Sequence, residues 1–384
     1  MSKLIATFRL LQNESINIVS ALTEEHYHKQ FHPDLSPIGW HLGHCVFTES
    51  YWIKEQLLGE IIVDDSLRSL YVPELSPKQT RGIALPEKNK MLAWAADTQA
   101  ENCSLLELAT TQLTSHKLLT NDYLIHFLIQ HYSQHIETIM MVLTALQIQS
   151  AHAEFTPSKL LESKQQQKEF ITVESSTYTI GIEENNLPYD NEHPAHSVEL
   201  DSFKIKTLPV SNGEYLSFMN SAAYAKKEVW SDAGWEWFSN NKPVHPYHWQ
   251  KHKNGNWYGI NHQGSFSLEE REAVYGLSQF EAEAYARWAG GRLPHEYEWE
   301  AAAKNYQLEQ TGLVWEWCGN YFHPYDNFSP YPYAGYSAPY FDDQHFVLKS
   351  GCRYTKVHIK RASFRNYYHA DKRYIFAGCR LVYD

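Results

Sequence analysis

The chain has 384 residues, with 33 Lys and Arg against 45 Asp and Glu, giving a formal charge of −12 with His neutral. That balance lacks the basic footprint of a nucleic-acid-binding surface, and no run approaches the roughly 18 apolar residues of a membrane span. The five cysteines are scattered without a CxxC spacing, which fits a reducing compartment better than a disulfide framework.

The opening MSKLIATFRLLQNES has neither the apolar core nor the cleavage site of a secretory signal, so a cytoplasmic location is expected. Leu4, Phe8, Leu11, Ile18 and Leu22 recur at helical spacing and predict a first helix. Ser36-Pro37 reads as a second helix start, with Ser as N-cap and Pro in the first turn, running through Trp40, His41, His44, Phe47 and Ile53 to about Leu58. A third helix is predicted over Lys88–Leu119. A fourth, over Asn121–Gln147, aligns Leu124, Phe127, Leu128, Ile136, Ile139, Met140 and Leu143 on one stripe. Four long helices predict a four-helix bundle. The polar stretch Ser158–Lys168 reads as a linker between a first domain (1–157) and a second (169–384). Residues 1–150 hold 12 of the 55 aromatics, so the composition changes sharply at that boundary. Beyond it, β-like runs are predicted at Ile171–Val173, Tyr178–Ile182, Ser197–Ile205, Phe346–Lys349 and Phe376–Val382. Helices are predicted at Ser278–Ala289 and from Pro294. Loops rich in Gly, Asn, Pro and aromatics separate them, an α+β pattern.

Histidines carry the chemistry. His131 and His135 lie four apart on the fourth helix and continue the apolar stripe, so they point into the bundle. Two imidazoles there need polar partners, and a divalent metal satisfies both; hydrogen-bonded core histidines are the alternative. His44, on an inner face of an earlier helix, completes a triad without a carboxylate, the open coordination of a catalytic site. His41, one turn before His44, is a rival ligand; His126 and His32 are less well placed. Glu137 is either an outer hydrogen-bond acceptor for a ligand or a solvated surface carboxylate.

SPIGWHLGH (Ser36–His44), HYSQHIE (His131–Glu137), GRLPHEYEWEAAA (Gly291–Ala303), VWEW (Val314–Trp317), FRNYY (Phe364–Tyr368) and IFAGCRLV (Ile375–Val382) stand in the order found in the sulfoxide synthases of ergothioneine biosynthesis. The chain resembles that family and its selenoneine-synthase relatives over nearly its whole length. The resemblance implies a DinB-like four-helix bundle joined to a C-type-lectin-like domain of the formylglycine-generating-enzyme type. It implies Fe(II) on His44, His131 and His135. The implied reaction is O2-dependent bonding of a thiol sulfur to the imidazole ring of hercynine, the betaine of histidine, with oxidation to the sulfoxide. Selenium from a selenosugar is the donor in some relatives. By the same resemblance Tyr331 is the catalytic tyrosine, with Tyr325, Tyr333 and Tyr336 as rivals. Gln134 contacts the imidazole substrate, and Asn366 and Tyr367 stand near the betaine group.

Two positions depart from the enzymes that use γ-glutamylcysteine. In SPKQTRGIALP, Lys78 replaces the first of two carboxylate-gripping Arg, while Arg81 keeps the second. Tyr368 replaces the Asp that holds the donor's ammonium. Lys does not reproduce the bidentate grip of Arg, so free cysteine or a neutral selenosugar fits better than γ-glutamylcysteine. Cys318 and Cys352, which replace Thr or Ser of the family, read as small buried residues. A DinB-type zinc enzyme transferring a group to a thiol, without redox chemistry, is the reading from another class.

Overall fold

The computed structural model of the protein describes residues 2–61, 64–113, 115–150, 155–183 and 189–384. The chain divides into two compact units, Met1–Gln149 and Ser150–Asp384. Residues 151–154, at the end of the predicted first domain, lie outside the described residues.

The first unit is helical. Its long members are α1 (Ser2–Ser20), α3 (Ile38–Ser50), α6 (Lys88–Gln112) and α7 (Tyr123–Gln149), with the short α2 (Glu24–His28), α4 (Asp65–Tyr71) and α5 (Lys78–Ala84) between them. The helix begun by α3 continues as a π-helical stretch over Tyr51–Leu57. α1 packs on α3, α6 and α7, and α3 packs on α6 and α7. Three expectations change in detail. Ser36 does not cap α3: Pro37 holds the N-cap position, and Ser36 Oγ instead accepts from Arg81 Nη1 at 2.5 Å. The third helix ends at Gln112, not Leu119, and a separate 3-10 turn spans Lys117–Asp122. α4 and α5 are too short to show an apolar stripe, and the sequence reading missed them. Asp64 announces α4 by accepting from the backbone of Ser66 and Leu67.

α3 is buried along nearly its whole length, which its two glycines permit. A Cβ on Gly39 would stand 2.2 Å from the ring of Tyr27, and one on Gly43 would stand 2.3 Å from the ring of Tyr71. Both tyrosines therefore press against the backbone of α3, and Tyr71 becomes part of the site described below.

The second unit is α+β. β1 (Phe170–Val173) and β12 (Val382–Tyr383) flank β4 (Phe203–Lys206), both antiparallel to it. β2 (Ser176–Ile180) pairs with β3 (His196–Leu200), and β5 (Trp249–Lys251), β6 (Trp257–Asn261) and β7 (Gly264–Ser267) form a meander. A four-stranded sheet runs β10–β9–β8–β11, with β8 at Trp315–Tyr321, β9 at His345–Lys349, β10 at Asn366–His369 and β11 at Ala377–Gly378. The helices are α8 (Asn212–Asn220), α9 (Asp232–Asn241), α10 (Gln279–Trp288) and α11 (Glu296–Asn305). Ser278 caps α10 as expected, whereas α11 starts two residues beyond Pro294, with His295 as its cap. The single strand expected over Ser197–Ile205 is two strands split at Asp201-Ser202. The one over Phe376–Val382 is two two-residue strands.

The charges of the diagnostic motifs pair with one another inside this unit. Arg365 grips Glu296 through two nitrogens at 2.6 and 2.8 Å. Arg380 grips Glu316 in the same way at 2.8 and 2.9 Å. Arg292 holds Glu298, and Lys349 holds Glu300. Arg380 and Glu316 are both fully buried, and Glu316 also accepts from the indole of Trp299 at 2.6 Å. These residues hold the fold together. Glu316→Gln leaves a buried guanidinium without its anion and is expected to cost about 3–5 kcal/mol. The check is urea unfolding; an unchanged midpoint would contradict the assignment. Cys318 and Cys352 are buried, and all five cysteines are free.

Candidate metal centre

α3 presents His41 and His44 one turn apart, and α7 presents His131 and His135 one turn apart. Because the two helices pack together, the four rings meet as two rungs. In one, His44 Nε2 lies 3.2 Å from His131 Nε2; in the other, His41 Nδ1 lies 3.0 Å from His135 Nδ1. The ring centroids of His44, His131 and His135 are 4.5–5.1 Å apart. Each of these three offers a ligand nitrogen within 4.8 Å of the others, and His41 is not in the set. His126 and His32 are not in it either.

The donor set fits a divalent transition metal. His44 Nδ1 donates to the carbonyl of Tyr71 at 2.7 Å, so its Nε2 carries the lone pair. Two nitrogens each ~2.0–2.1 Å from one ion stand about 3.0 Å apart for a right angle and about 3.4 Å for a tetrahedral one. The observed 3.2 Å falls between. Burial keeps the imidazoles neutral and able to ligate: it pushes His44 down to about 4 and holds His131 and His135 well below the usual histidine range. The triad contains no carboxylate, and Glu137 is buried on α7 rather than solvated on its surface.

His44 is braced from behind. Its ring stacks on the indole of Trp40, with centroids 4.7 Å apart and planes 11° from parallel. Trp40 donates its Nε1 to Leu70 O at 2.8 Å, and the guanidinium of Arg81 lies 3.8 Å over the indole. Arg81 is itself fixed by Ser76 O, Ser36 Oγ and Pro73 O at 2.9, 2.5 and 3.1 Å. This Arg81–Trp40–His44 column was invisible in the sequence, since Trp40 and His44 lie on α3 and Arg81 on α5, with the π-helical stretch and α4 between them.

A pH dependence follows. The unfolded chain protonates His44 near its ordinary value of 6.5, whereas the folded chain resists until about 4. The metal-free bundle therefore loses stability as pH falls from about 6.5 towards 4 and gains none from this group above that window. The expected loss from His44 alone is about 3 kcal/mol by pH 4. Thermal unfolding of metal-free wild type and of His44→Leu across this range checks it. Parallel pH profiles for the two would refute it.

Two family models match the two units in turn. The DinB superfamily matches residues 7–139, and the sulfatase-modifying factor enzyme 1-like domain matches residues 157–311. The chain is 26% identical to hercynine oxygenase of Mycolicibacterium thermoresistibile, over 97% of this chain and 93% of that protein. It is 27% identical to hercynine oxygenase of Mycobacterium tuberculosis, over 92% of each. It is also 29% identical to ergothioneine biosynthesis protein 1 of Schizosaccharomyces pombe, over 50% of this chain and 27% of that protein. These full-length relatives, with the two family models in this order, support a place in the ergothioneine-biosynthesis sulfoxide synthase family.

Of the other residues that the resemblance suggests, Gln134 lies on α7 between His131 and His135 and is half-buried. Lys78 is exposed at the start of α5 and donates to Asp34 O at 2.7 Å. In the second unit, Asn366, Tyr367 and Tyr368 occupy β10. The Tyr367 hydroxyl donates to Tyr336 O at 2.8 Å, and its ring stacks on Phe322 with centroids 4.2 Å apart. Among the candidate tyrosines, Tyr325 is a core residue packed on Arg365, and Tyr333 is exposed. Tyr336 stacks on Tyr189, while Tyr331 is half-buried, and its backbone N–H donates to the carboxylate of Asp190. No helix among the described residues is long and apolar enough to cross a membrane.

Proposed function

We propose that the protein is an Fe(II)- and O2-dependent sulfoxide synthase that joins a thiol sulfur to the imidazole ring of hercynine. The observation that carries this reading is the convergence of three neutral histidines without a carboxylate, His44 buried and His131 and His135 half-buried. It occurs in a chain that matches hercynine oxygenases along almost its full length. The reaction removes one hydrogen from a ring carbon and one from the thiol, forms the C–S bond and places one oxygen atom on sulfur. The second oxygen atom leaves as water, so the four electrons O2 accepts come from the two substrates.

His44, His131 and His135 hold the iron, and bound iron supplies the activation of O2 and open positions for substrate. Three neutral ligands leave the charge of the ion uncompensated, which favours a thiolate at neutral pH. Gln134, one residue before His135, contacts the imidazole substrate. The ring of Tyr367, whose hydroxyl is already engaged, offers a π-face to the trimethylammonium group, with Asn366 beside it. Tyr331 donates the proton or hydrogen; burial raises its pKa, so the hydroxyl stays protonated at neutral pH. Arg81 is the fixed cation for a polar donor group. Among the described residues it donates three of its five N–H groups, to Ser76 O, Ser36 Oγ and Pro73 O.

The test is anaerobic reconstitution with Fe(II), then O2 consumption and product mass with hercynine plus cysteine, γ-glutamylcysteine or a selenosugar. The expected product with cysteine has the mass of both substrates less two hydrogens plus one oxygen. Thiol consumption without O2 uptake would overturn the reading in favour of a zinc-type transferase.

A further inference from the structure

We infer that His41 is a positioning residue: through its Nδ1 it fixes the tautomer and orientation of His135 that place Nε2 on the metal. The inference rests on the metal-site reading above and goes beyond it, because His41 is not one of the three ligands.

The argument is proton counting. His41 Nδ1 and His135 Nδ1 lie 3.0 Å apart, a hydrogen bond in which one nitrogen donates and the other accepts. If His135 Nδ1 accepts, the neutral ring carries its proton on Nε2, and the lone pair needed for a metal is gone. If His135 Nδ1 donates, Nε2 is free to ligate. Ligation by Nε2 thus requires an acceptor at His41 Nδ1 and places the His41 proton on Nε2. That second nitrogen is buried and has no hydrogen-bond partner among the described residues. The burial of a whole imidazole with one nitrogen unsatisfied is costly, and the His135 contact is the polar interaction that accounts for His41 being there.

The same logic already operates on the neighbouring rung. His44 Nδ1 donates to Tyr71 O, leaving its Nε2 for the ion. Metal-bound histidines ordinarily give their second N–H to a carboxylate or carbonyl, and such outer partners tune affinity about 10–100-fold. Here the outer partner of His135 is a neutral imidazole. It aligns the ring as a carboxylate would but adds no negative charge, so the ion keeps its full charge for an anionic substrate group. Geometry assists: His41 and His44 share one face of α3, and the indole of Trp40 holds the His41 ring edge-on at 5.6 Å. One rigid helix therefore carries a ligand and the residue that orients another ligand.

Two substitutions separate positioning from packing. In His41→Asn the amide oxygen occupies the place of Nδ1 and still accepts. In His41→Leu the volume is retained and the acceptor is lost. Fe(II) and Co(II) affinities of the full-length protein are measured by anaerobic titration, with the Co(II) visible spectrum as the readout of ligand geometry. Thermal unfolding of the metal-free proteins is recorded alongside. His41→Leu is expected to bind both metals about 10–100-fold more weakly with an altered Co(II) spectrum. His41→Asn should stay within a few-fold of wild type, and the metal-free proteins should unfold alike. Wild-type affinity and spectrum in His41→Leu would overturn the inference, as would equal losses in both variants. His44→Ala is the control: if it binds metal as well as wild type, the metal-site reading itself fails, whatever His41 does.

Discussion

His131→Ala is expected to abolish iron binding and turnover while the bundle stays folded. The effect is large because a triad reduced to two ligands loses a major part of its binding free energy, and an Ala methyl offers no replacement donor. Folding rests elsewhere. Leu124, Phe127, Leu128, Ile136, Ile139 and Val142 bury the inner face of α7, and of these Phe127 stacks on the His131 ring, with centroids 6.3 Å apart. Removing His131 also removes a buried Nδ1 that has no partner among the described residues, so the metal-free variant should unfold no more easily than metal-free wild type. The measurement pairs iron content after anaerobic loading with circular dichroism and thermal unfolding. Full iron content and activity in the variant would refute the ligand assignment. A native preparation holding zinc would not, since zinc outcompetes iron at nitrogen sites where it is available.

γ-Glutamylcysteine is expected to be a poor donor, consumed tenfold to over a hundredfold less efficiently than cysteine or a selenosugar at equal concentration. That donor brings two carboxylates and an ammonium. Lys78 stands where a guanidinium would grip one carboxylate, and its ammonium is already given to the carbonyl of Asp34. Tyr368 stands where an anion would meet the donor's amine, and its ring packs edge-on against Tyr374. An ammonium left without its anion in a dry site costs about 1–3 kcal/mol or more, which sets the expected range. Tyr368→Asp combined with Lys78→Arg should therefore raise γ-glutamylcysteine turnover, whereas Arg81→Met should impair every donor with a polar head. The check is a competition assay read by mass spectrometry. Preferential consumption of γ-glutamylcysteine by wild type would sink the idea and place donor recognition on other residues.

Much of the site was legible as local periodicity. The spacing of His131 and His135 on an apolar stripe is a property of one helix, and a helix seen end-on needs no tertiary information to show which residues share a face. The motifs were legible too, as pattern, but not their physical role. Glu296 meets Arg365 and Glu316 meets Arg380 across more than sixty residues of chain, so only the folded second unit shows that the diagnostic charges neutralise one another.

The sequence by itself determined the two-part α+β architecture and the inward-facing pair His131 and His135, because helical periodicity and motif order are written in short-range spacing. Only the tertiary structure decided between His41 and His44. Both lie on the same face of α3, and which ring aims a nitrogen at the triad depends on how α3 docks on α7, down to about an ångström. The same holds for Ser36, a plausible cap by local rules that became an acceptor for Arg81 from another helix. Local rules choose which groups are available; interhelix packing chooses which of them meet, because a hydrogen bond or a metal–nitrogen bond tolerates displacements far smaller than the pitch of a helix.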